Sequence, residues 1–260
     1  MLKKQKAALF ITIMGLCGVC GFPAYGLQGP EEHAQRTSDE AILESNKVIE
    51  INPKNATAYV YRGYAYASKG DLGHAIDDYI KALEIDPKNA VAYRSRGLAY
   101  AQRGDWDLAI MDTTKAIELE PTNPENFGNR GVGYCKKGEW DLAIADYTKG
   151  IQIDPQPRRY YARGFVYYMK NKWDPAITDY NKAIELDSKM AFAYAARALV
   201  YYRKGNIDQA IIDYSKAVEV NSKDTSAYYG RLVDEKGLNA KVGKEIIQLL
   251  KEKIAKLEKC

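Results

Sequence analysis

From about residue 38 onward, apolar residues fall at helical spacing, and two kinds of stripe alternate along the chain. Tyr59, Gly63 and Tyr66 are four and three residues apart, on one face of a helix. Ala75, Ile76, Tyr79, Ala82 and Leu83 follow at i, i+1, i+4, i+7 and i+8, which is again a single stripe. Gly70-Asp71 separates the two. Gly accepts the left-handed conformation that ends one helix, and Asp caps the start of the next. Gly104-Asp105 and Gly205-Asn206 repeat the signal, and Pro175 suits the first turn of its helix. Pro87, Pro121 and Pro155 stop the second helices. The pattern predicts helix–turn–helix units whose small residues, such as Gly63 and Ala75, let two helices approach while Tyr side chains fill the space around them.

The unit recurs. Ala58-Tyr59-Val60-Tyr61-Arg62-Gly63 aligns with Ala92-Tyr93-Arg94-Ser95-Arg96-Gly97, and Gly63, Gly97 and Gly131 are 34 residues apart. Gly164 follows after 33 and Ala198 after 34, so the short step falls in the loop Asp154-Pro155-Gln156-Pro157. The second stripe recurs from Ala109 to Pro121, Ala143 to Pro155, Ala176 to Ser188 and Ala210 to Ser222, with a weaker copy from Ala41 to Pro53. One such hairpin cannot bury its apolar face alone, so the units stack into a quasi-linear array.

Over roughly residues 38 to 236 this pattern resembles the tetratricopeptide repeat family. The first full repeat carries the family's signature at Tyr59, Gly63, Tyr66, Ala75, Tyr79, Ala82 and Pro87. The second has Thr113 at the aromatic slot of its second helix, the third has Gly150 in place of an Ala, and the fifth has Ala198 as its small residue. The resemblance implies an all-α fold: an α-solenoid of stacked antiparallel helix pairs in a right-handed superhelix. The expected organisation is a partial repeat over 38–55, then five repeats over 56–89, 90–123, 124–156, 157–190 and 191–224. A degenerate repeat and capping helix occupy 225–260, where Val242, Ile246, Leu249, Leu250, Ile254 and Leu257 form an apolar stripe.

An Arg precedes each small residue, at 62, 96, 130, 163, 197 and 231, and an acid recurs on each second helix, at Glu44, Asp78, Asp112, Asp146, Asp179 and Asp213. Two readings are open: a row of Arg residues for anions, or a structural ladder of ion pairs. A six-to-six match has each Arg meet the acid of the preceding repeat.

The 260 residues carry a net charge of +4. Lys3, Lys4 and Lys6 lie ahead of an apolar run from Ala7 to about Val19, followed by Ala24-Tyr25-Gly26. This order predicts a signal peptide over 1–26, cleaved after Gly26, and a polar leader over 27–37. An uncleaved anchor, or a lipid on Cys17 or Cys20, are the other readings, and the only ones that place the chain on a membrane. The expectation is export to a periplasmic or secreted location. Without the three leading lysines the balance is 35 basic against 34 acidic residues, with no basic stripe of the kind nucleic-acid binding uses. Cys135 and Cys260 make no disulfide framework. Asn55-Ala56-Thr57 is a glycosylation sequon at a repeat junction.

No catalytic, metal or cofactor site emerges. His33 and His74 are the only histidines, and neither stands at metal-ligand spacing. Gly128-Asn129-Arg130-Gly131-Val132-Gly133 superficially looks like a phosphate loop, but it lies within a helical pattern with no strand before it.

The resemblance places partner binding on the concave side, lined by first helices. Helical position puts Val60, Tyr61, Tyr64, Leu98 and Val132 there, with Arg94 and Asn129 as polar members. Farther along it puts Tyr161, Phe165, Tyr168, Leu199 and Tyr202 on the same side, with Lys136, Arg158 and Arg203. An aromatic groove suits a peptide or an apolar helix of another protein. The alternatives for these rings are packing between first helices or cover by the C-terminal helix. The function expected is a non-enzymatic interaction scaffold. The alternatives are a helical-repeat RNA-binding protein, an accessory subunit of an envelope enzyme complex, or an enzyme.

Overall fold

The computed structural model describes residues 38–220. The expected signal peptide and leader (1–37) and the C-terminal degenerate repeat and capping helix (225–260) lie outside the described residues. The described residues form eleven α-helices and no strand. They divide between Asp154 and Pro155 into two compact units. The N-terminal unit holds α1 (Ser38–Ile51), α2 (Ala56–Ser68), α3 (Leu72–Ile85), α4 (Ala90–Arg103), α5 (Trp106–Leu119), α6 (Pro124–Lys137) and α7 (Trp140–Ile153). The C-terminal unit holds α8 (Pro157–Met169), α9 (Trp173–Leu186), α10 (Ala191–Arg203) and α11 (Ile207–Val220). Within each unit every helix packs on the next, and first helices also touch the following first helix: α2 with α4, α4 with α6, and α8 with α10.

Local chemistry sets the helix ends. Asn55, Asn89 and Asn123 cap α2, α4 and α6: their side chains accept the N–H of Ala58 at 3.1 Å, Ala92 at 2.9 Å and Glu125 at 3.1 Å. Asn55 of the sequon is therefore a cap. The tight turns between paired helices place Gly70, Gly104, Gly138 and Gly205 at φ between 76° and 92°, and the remaining turn uses Asn171 at φ 57°.

Each pair closes on a small residue facing a large one. A Cβ on Gly63 would lie 2.6 Å from Cε1 of Tyr79, which is fully buried. Gly131 and Gly164 stand in the same relation to Tyr147 and Tyr180, at 3.0 and 2.9 Å. In the second repeat the slot holds Thr113, whose Cγ2 lies 3.2 Å from the corresponding point on Gly97.

Beside this contact lies an ion pair, repeated five times. Arg62 donates from Nε and Nη2 to Asp78 at 2.8 and 2.6 Å. Arg96 and Asp112, Arg130 and Asp146, Arg163 and Asp179, and Arg197 and Asp213 form the same fork at 2.7–2.8 Å. These carboxylates are buried, and the hydrogen bonds to them hold the Arg62, Arg96, Arg130 and Arg163 guanidiniums above their ordinary pKa. The five described members of the Arg row are thus structural, but the expected partners are corrected: each of these Arg residues meets the Asp of its own repeat, sixteen residues on, not that of the preceding one, while Arg231 lies outside the described residues. The preceding second helix is reached by the third nitrogen instead. Nη1 of Arg62, Arg130 and Arg197 donates to Asn46, Thr114 and Asn181 at 2.7, 3.2 and 2.6 Å. Lys69–Asp39, Lys137–Asp107 and Lys204–Asp174 add exposed ties between successive pairs, and exposed pairs contribute little.

Two stability outcomes follow. Arg96→Ala strands the Asp112 carboxylate, which is only 1% exposed. Chemical denaturation should show a loss of about 3–5 kcal/mol, the scale for breaking one half of a buried pair, and a wild-type midpoint would refute the structural role. Two glycines should respond in opposite directions. Gly63→Ala drives a methyl into the Tyr79 ring and should destabilise by about 1–3 kcal/mol. Gly128, inside α6, has nothing within 4 Å of an added Cβ, so Gly128→Ala should stabilise by about 0.5–1 kcal/mol. Thermal unfolding of the two variants checks the pair.

Candidate protein-binding face

The first helices touch one another and so form the inner side of each unit, and the expected binding residues divide sharply between the two units. In the N-terminal unit, Tyr61, Tyr64, Arg94, Leu98, Asn129 and Val132 are half-buried, while Val60 is buried. Tyr64 is firmly placed. Its hydroxyl accepts from Ser95 Oγ of the next first helix at 2.9 Å, and its ring stands edge-on to Tyr79 at 5.9 Å. Tyr61 lies beside it, ring centroids 6.5 Å apart. Neither the Ser95 contact nor the anchoring of Tyr64 had a signal in the repeat pattern, because Ser95 occupies a slot that holds Tyr61, Asn129, Ala162 or Ala196 elsewhere.

The polar members are partly committed. Arg94 Nη1 lies 3.4 Å from Glu120 Oε2, and Glu120 also accepts from Asn123. Lys136 of α6 places its ammonium 5.4 Å from the Trp106 ring centroid on α5, a cation–π contact between successive pairs. Asn129 Nδ2 is buried and meets no hydrogen-bond acceptor among the described residues.

In the C-terminal unit the expectation of an open aromatic groove is corrected. Tyr161, Phe165, Tyr168, Leu199 and Tyr202 are all buried, between 2% and 8% exposed. The reason is ring packing between helices. Tyr161 stands edge-on to Phe192 of α10 at 5.0 Å and tilts against Tyr180 of α9 at 5.7 Å, and Tyr168 packs on Trp173 at 5.5 Å. Arg158 is exposed and Arg203 half-buried.

The remaining candidate chemistry resolves into structure. The segment from Gly128 to Gly133 lies inside α6, where Gly131 receives Tyr147 and an added Cβ on Gly133 would lie 2.7 Å from Ile110 Cγ1. His74 sits on Asp71 at 2.7 Å and stacks on Tyr66; that hydrogen bond holds the Asp71 carboxyl below its usual pKa. Cys135 is buried, 3.9 Å from the Tyr147 hydroxyl. Among the described residues no cluster of three His, Cys, Asp or Glu side chains is placed to hold a metal, and no helix is long and apolar enough to cross a membrane.

Comparison with known proteins agrees with this architecture. A family model described as TPR repeat matches residues 63–104, 133–171 and 166–205, and one described as tetratricopeptide repeat matches 90–123 and 191–224. The crystal structure of MamA superposes with a TM-score of 0.59 at 30% identity, over 63% of this chain and 96% of that one. YrrB, described as a TPR protein with an unusual peptide-binding site, gives 0.61 at 23% identity over 74% and 99%. MamA from Desulfovibrio magneticus RS-1 gives 0.61 at 20% over 65% and 97%. The latter two likenesses concern the fold alone. No curated protein sequence matches the chain. By the repeats matched and by its likeness to MamA, the chain belongs to the tetratricopeptide repeat family.

Proposed function

We propose that this chain is a non-enzymatic scaffold that holds a peptide or helical segment of another protein against the inner face of its N-terminal unit, and that it works outside the cytoplasm. The observation that carries the binding reading is the half-exposed apolar surface of Tyr61, Tyr64, Leu98 and Val132 on helices α2, α4 and α6. The surface is rigid before any partner arrives. Tyr64 is held by Ser95 and Tyr79, and each of these helices is clamped to its neighbour by an Arg–Asp fork. Preorganised aromatics lose little entropy on binding. A structural relative of this fold, YrrB, is itself described as having a peptide-binding site. Tetratricopeptide folds serve protein–protein interaction, and nothing in the arrangement of titratable groups described above assembles a nucleophile, base and orienting group. The export reading rests on Lys3, Lys4 and Lys6, the apolar run after them and Ala24-Tyr25-Gly26.

The first test is affinity capture from the native host with the purified chain, identification of the bound protein by mass spectrometry, and titration of wild type and variants. Tyr61→Ala and Leu98→Ala should each weaken binding by about 2 kcal/mol, the scale of an interface anchor, with an unchanged helical circular dichroism signal. Wild-type affinity in both variants would move the site off the inner face. The second test is N-terminal sequencing of the native protein. It should begin near Leu27, and soluble cytoplasmic protein that retains Met1 would overturn export.

A further inference from the structure

Successive helix pairs are joined by polar contacts that recur at fixed slots. The third guanidinium nitrogen of a first-helix Arg reaches back to the preceding second helix, from Arg62 to Asn46, Arg130 to Thr114 and Arg197 to Asn181. A Lys at the C-terminal end of the same first helix meets an Asp in the first turn of that preceding helix, as Lys69–Asp39, Lys137–Asp107 and Lys204–Asp174. The joints α1/α2, α5/α6 and α9/α10 therefore carry both ties, and Lys136 over Trp106 adds a third at α5/α6.

The joint α3/α4 carries none of these among the described residues. Sixteen residues before Arg96 stands Ile80, an exposed hydrocarbon where the other joints have Asn or Thr. Arg96 spends Nε and Nη2 on Asp112 and finds no acceptor behind it. Thirty residues before Arg103 stands Gly73, where the other joints have Asp, and Arg103 turns to Asp105 of its own pair. The slots of the Lys136–Trp106 contact hold Gln102 and Leu72.

Two things hold this joint instead. The apolar core runs through it, with Ala82, Leu83, Ala92, Ala99 and Tyr100 buried. Ser95 Oγ donates to the Tyr64 hydroxyl at 2.9 Å, on the inner side. Apolar contact is non-directional, and Ala side chains form shallow ridges that resist sliding weakly. An exposed Lys–Asp pair adds little by itself. The Arg–Asn bond does more, because it is charge-assisted and comes from a guanidinium already locked on its own Asp, so it fixes the distance back to the preceding second helix. Without it, α3/α4 is pinned at its inner edge and unrestrained by polar contacts at its outer edge.

We propose that the α3/α4 joint is a hinge built into the N-terminal unit: it pivots at the Tyr64–Ser95 contact and opens or closes on the outer side, between α3 and α5. Tyr61 and Tyr64 lie on one side of the hinge, and Leu98 and Val132 on the other. Its motion therefore changes the curvature of the inner face, as hinges at a few residues do in other folds. The hinge is a property of the free chain and stands apart from the scaffold reading.

Distances between spin labels, measured by pulsed dipolar resonance on the full chain, test this. Cys17, Cys20, Cys135 and Cys260 are first replaced by Ala. Lys81, Lys115 and Lys149 occupy one exposed slot in α3, α5 and α7. Labels at Lys81→Cys and Lys115→Cys report the hinge, and labels at Lys115→Cys and Lys149→Cys report the tied joint beside it. The first pair should give the broader distance distribution. Ile80→Asn with Gly73→Asp supplies both missing acceptors and should narrow it to the width of the second pair. An added Cβ on Gly73 meets only Asp71 Oδ1, at 3.7 Å, so the site has room. Ile80→Ala removes hydrocarbon without adding an acceptor and should leave the distribution broad. Thr114→Val with Asp107→Ala cuts the ties of the neighbouring joint and should broaden the second pair. Circular dichroism of each variant should match the parent, which separates a loosened joint from a lost fold. Equal widths for the two parent pairs, or a first distribution that stays broad with both acceptors added, would overturn the hinge. A chain that shows these widths yet captures no protein would remove the scaffold reading and leave the hinge standing.

Discussion

The structure depends on one contact unit, an Arg fork on a buried Asp next to a small residue that receives a large one. An antiparallel helix pair with equal rise on both arms brings together residues equidistant from its turn. Arg62 and Asp78 lie eight residues either side of Gly70, and Gly63 and Tyr79 eight either side of Asp71. The polar clamp and the apolar seal are therefore neighbours by geometry. The two work together energetically. The Tyr79 ring fills the hollow that Gly63 leaves, and the surrounding burial strengthens the adjacent fork by excluding water. A buried ion pair alone is weak evidence for stability, because desolvation offsets much of the attraction. Here the fork uses two donors on both carboxylate oxygens and keeps the guanidinium between Tyr faces, as Arg96 lies between Tyr93 and Tyr100 at 5.7 and 5.9 Å. Its value is register: a slip by one residue along either helix unmakes the fork and the seal at once.

The helix pairs themselves were legible in the sequence, down to the Gly turns and the Asp71 cap, because each is a local choice fixed by a few side chains; the Asn55, Asn89 and Asn123 caps of the first helices were not read there. The partner of each Arg was legible too, through the distance to the turn, but counting six basic and six acidic residues pointed to the wrong neighbour. That count assumed the ends were equivalent to the interior. Sixteen residues from Arg231 and Glu44 the sequence has Ile247 and Gln28, whereas the five described forks each join an Arg and an Asp at that distance.

Openness of the inner face was not legible, and the reason is physical. Helical position tells which side a residue is on, but exposure depends on what the adjacent first helix carries. Phe165 and Leu199 are buried, whereas Leu98 and Val132, in the same slot of earlier repeats, keep exposed surface. The same register position is core in one unit and surface in the other. Volume at neighbouring positions decides this, and a repeat signature that records only residue type per slot does not contain it.

Quasi-linear arrays add stability pair by pair, with nearest-neighbour terms between pairs. The interior terms are visible in the third nitrogen of Arg62, Arg130 and Arg197, which reaches back to the preceding second helix. The same guanidinium thus closes its own pair and couples it to the one before. Among the described residues the Arg62–Asn46 and Lys69–Asp39 contacts tie α1 to α2 in the same way.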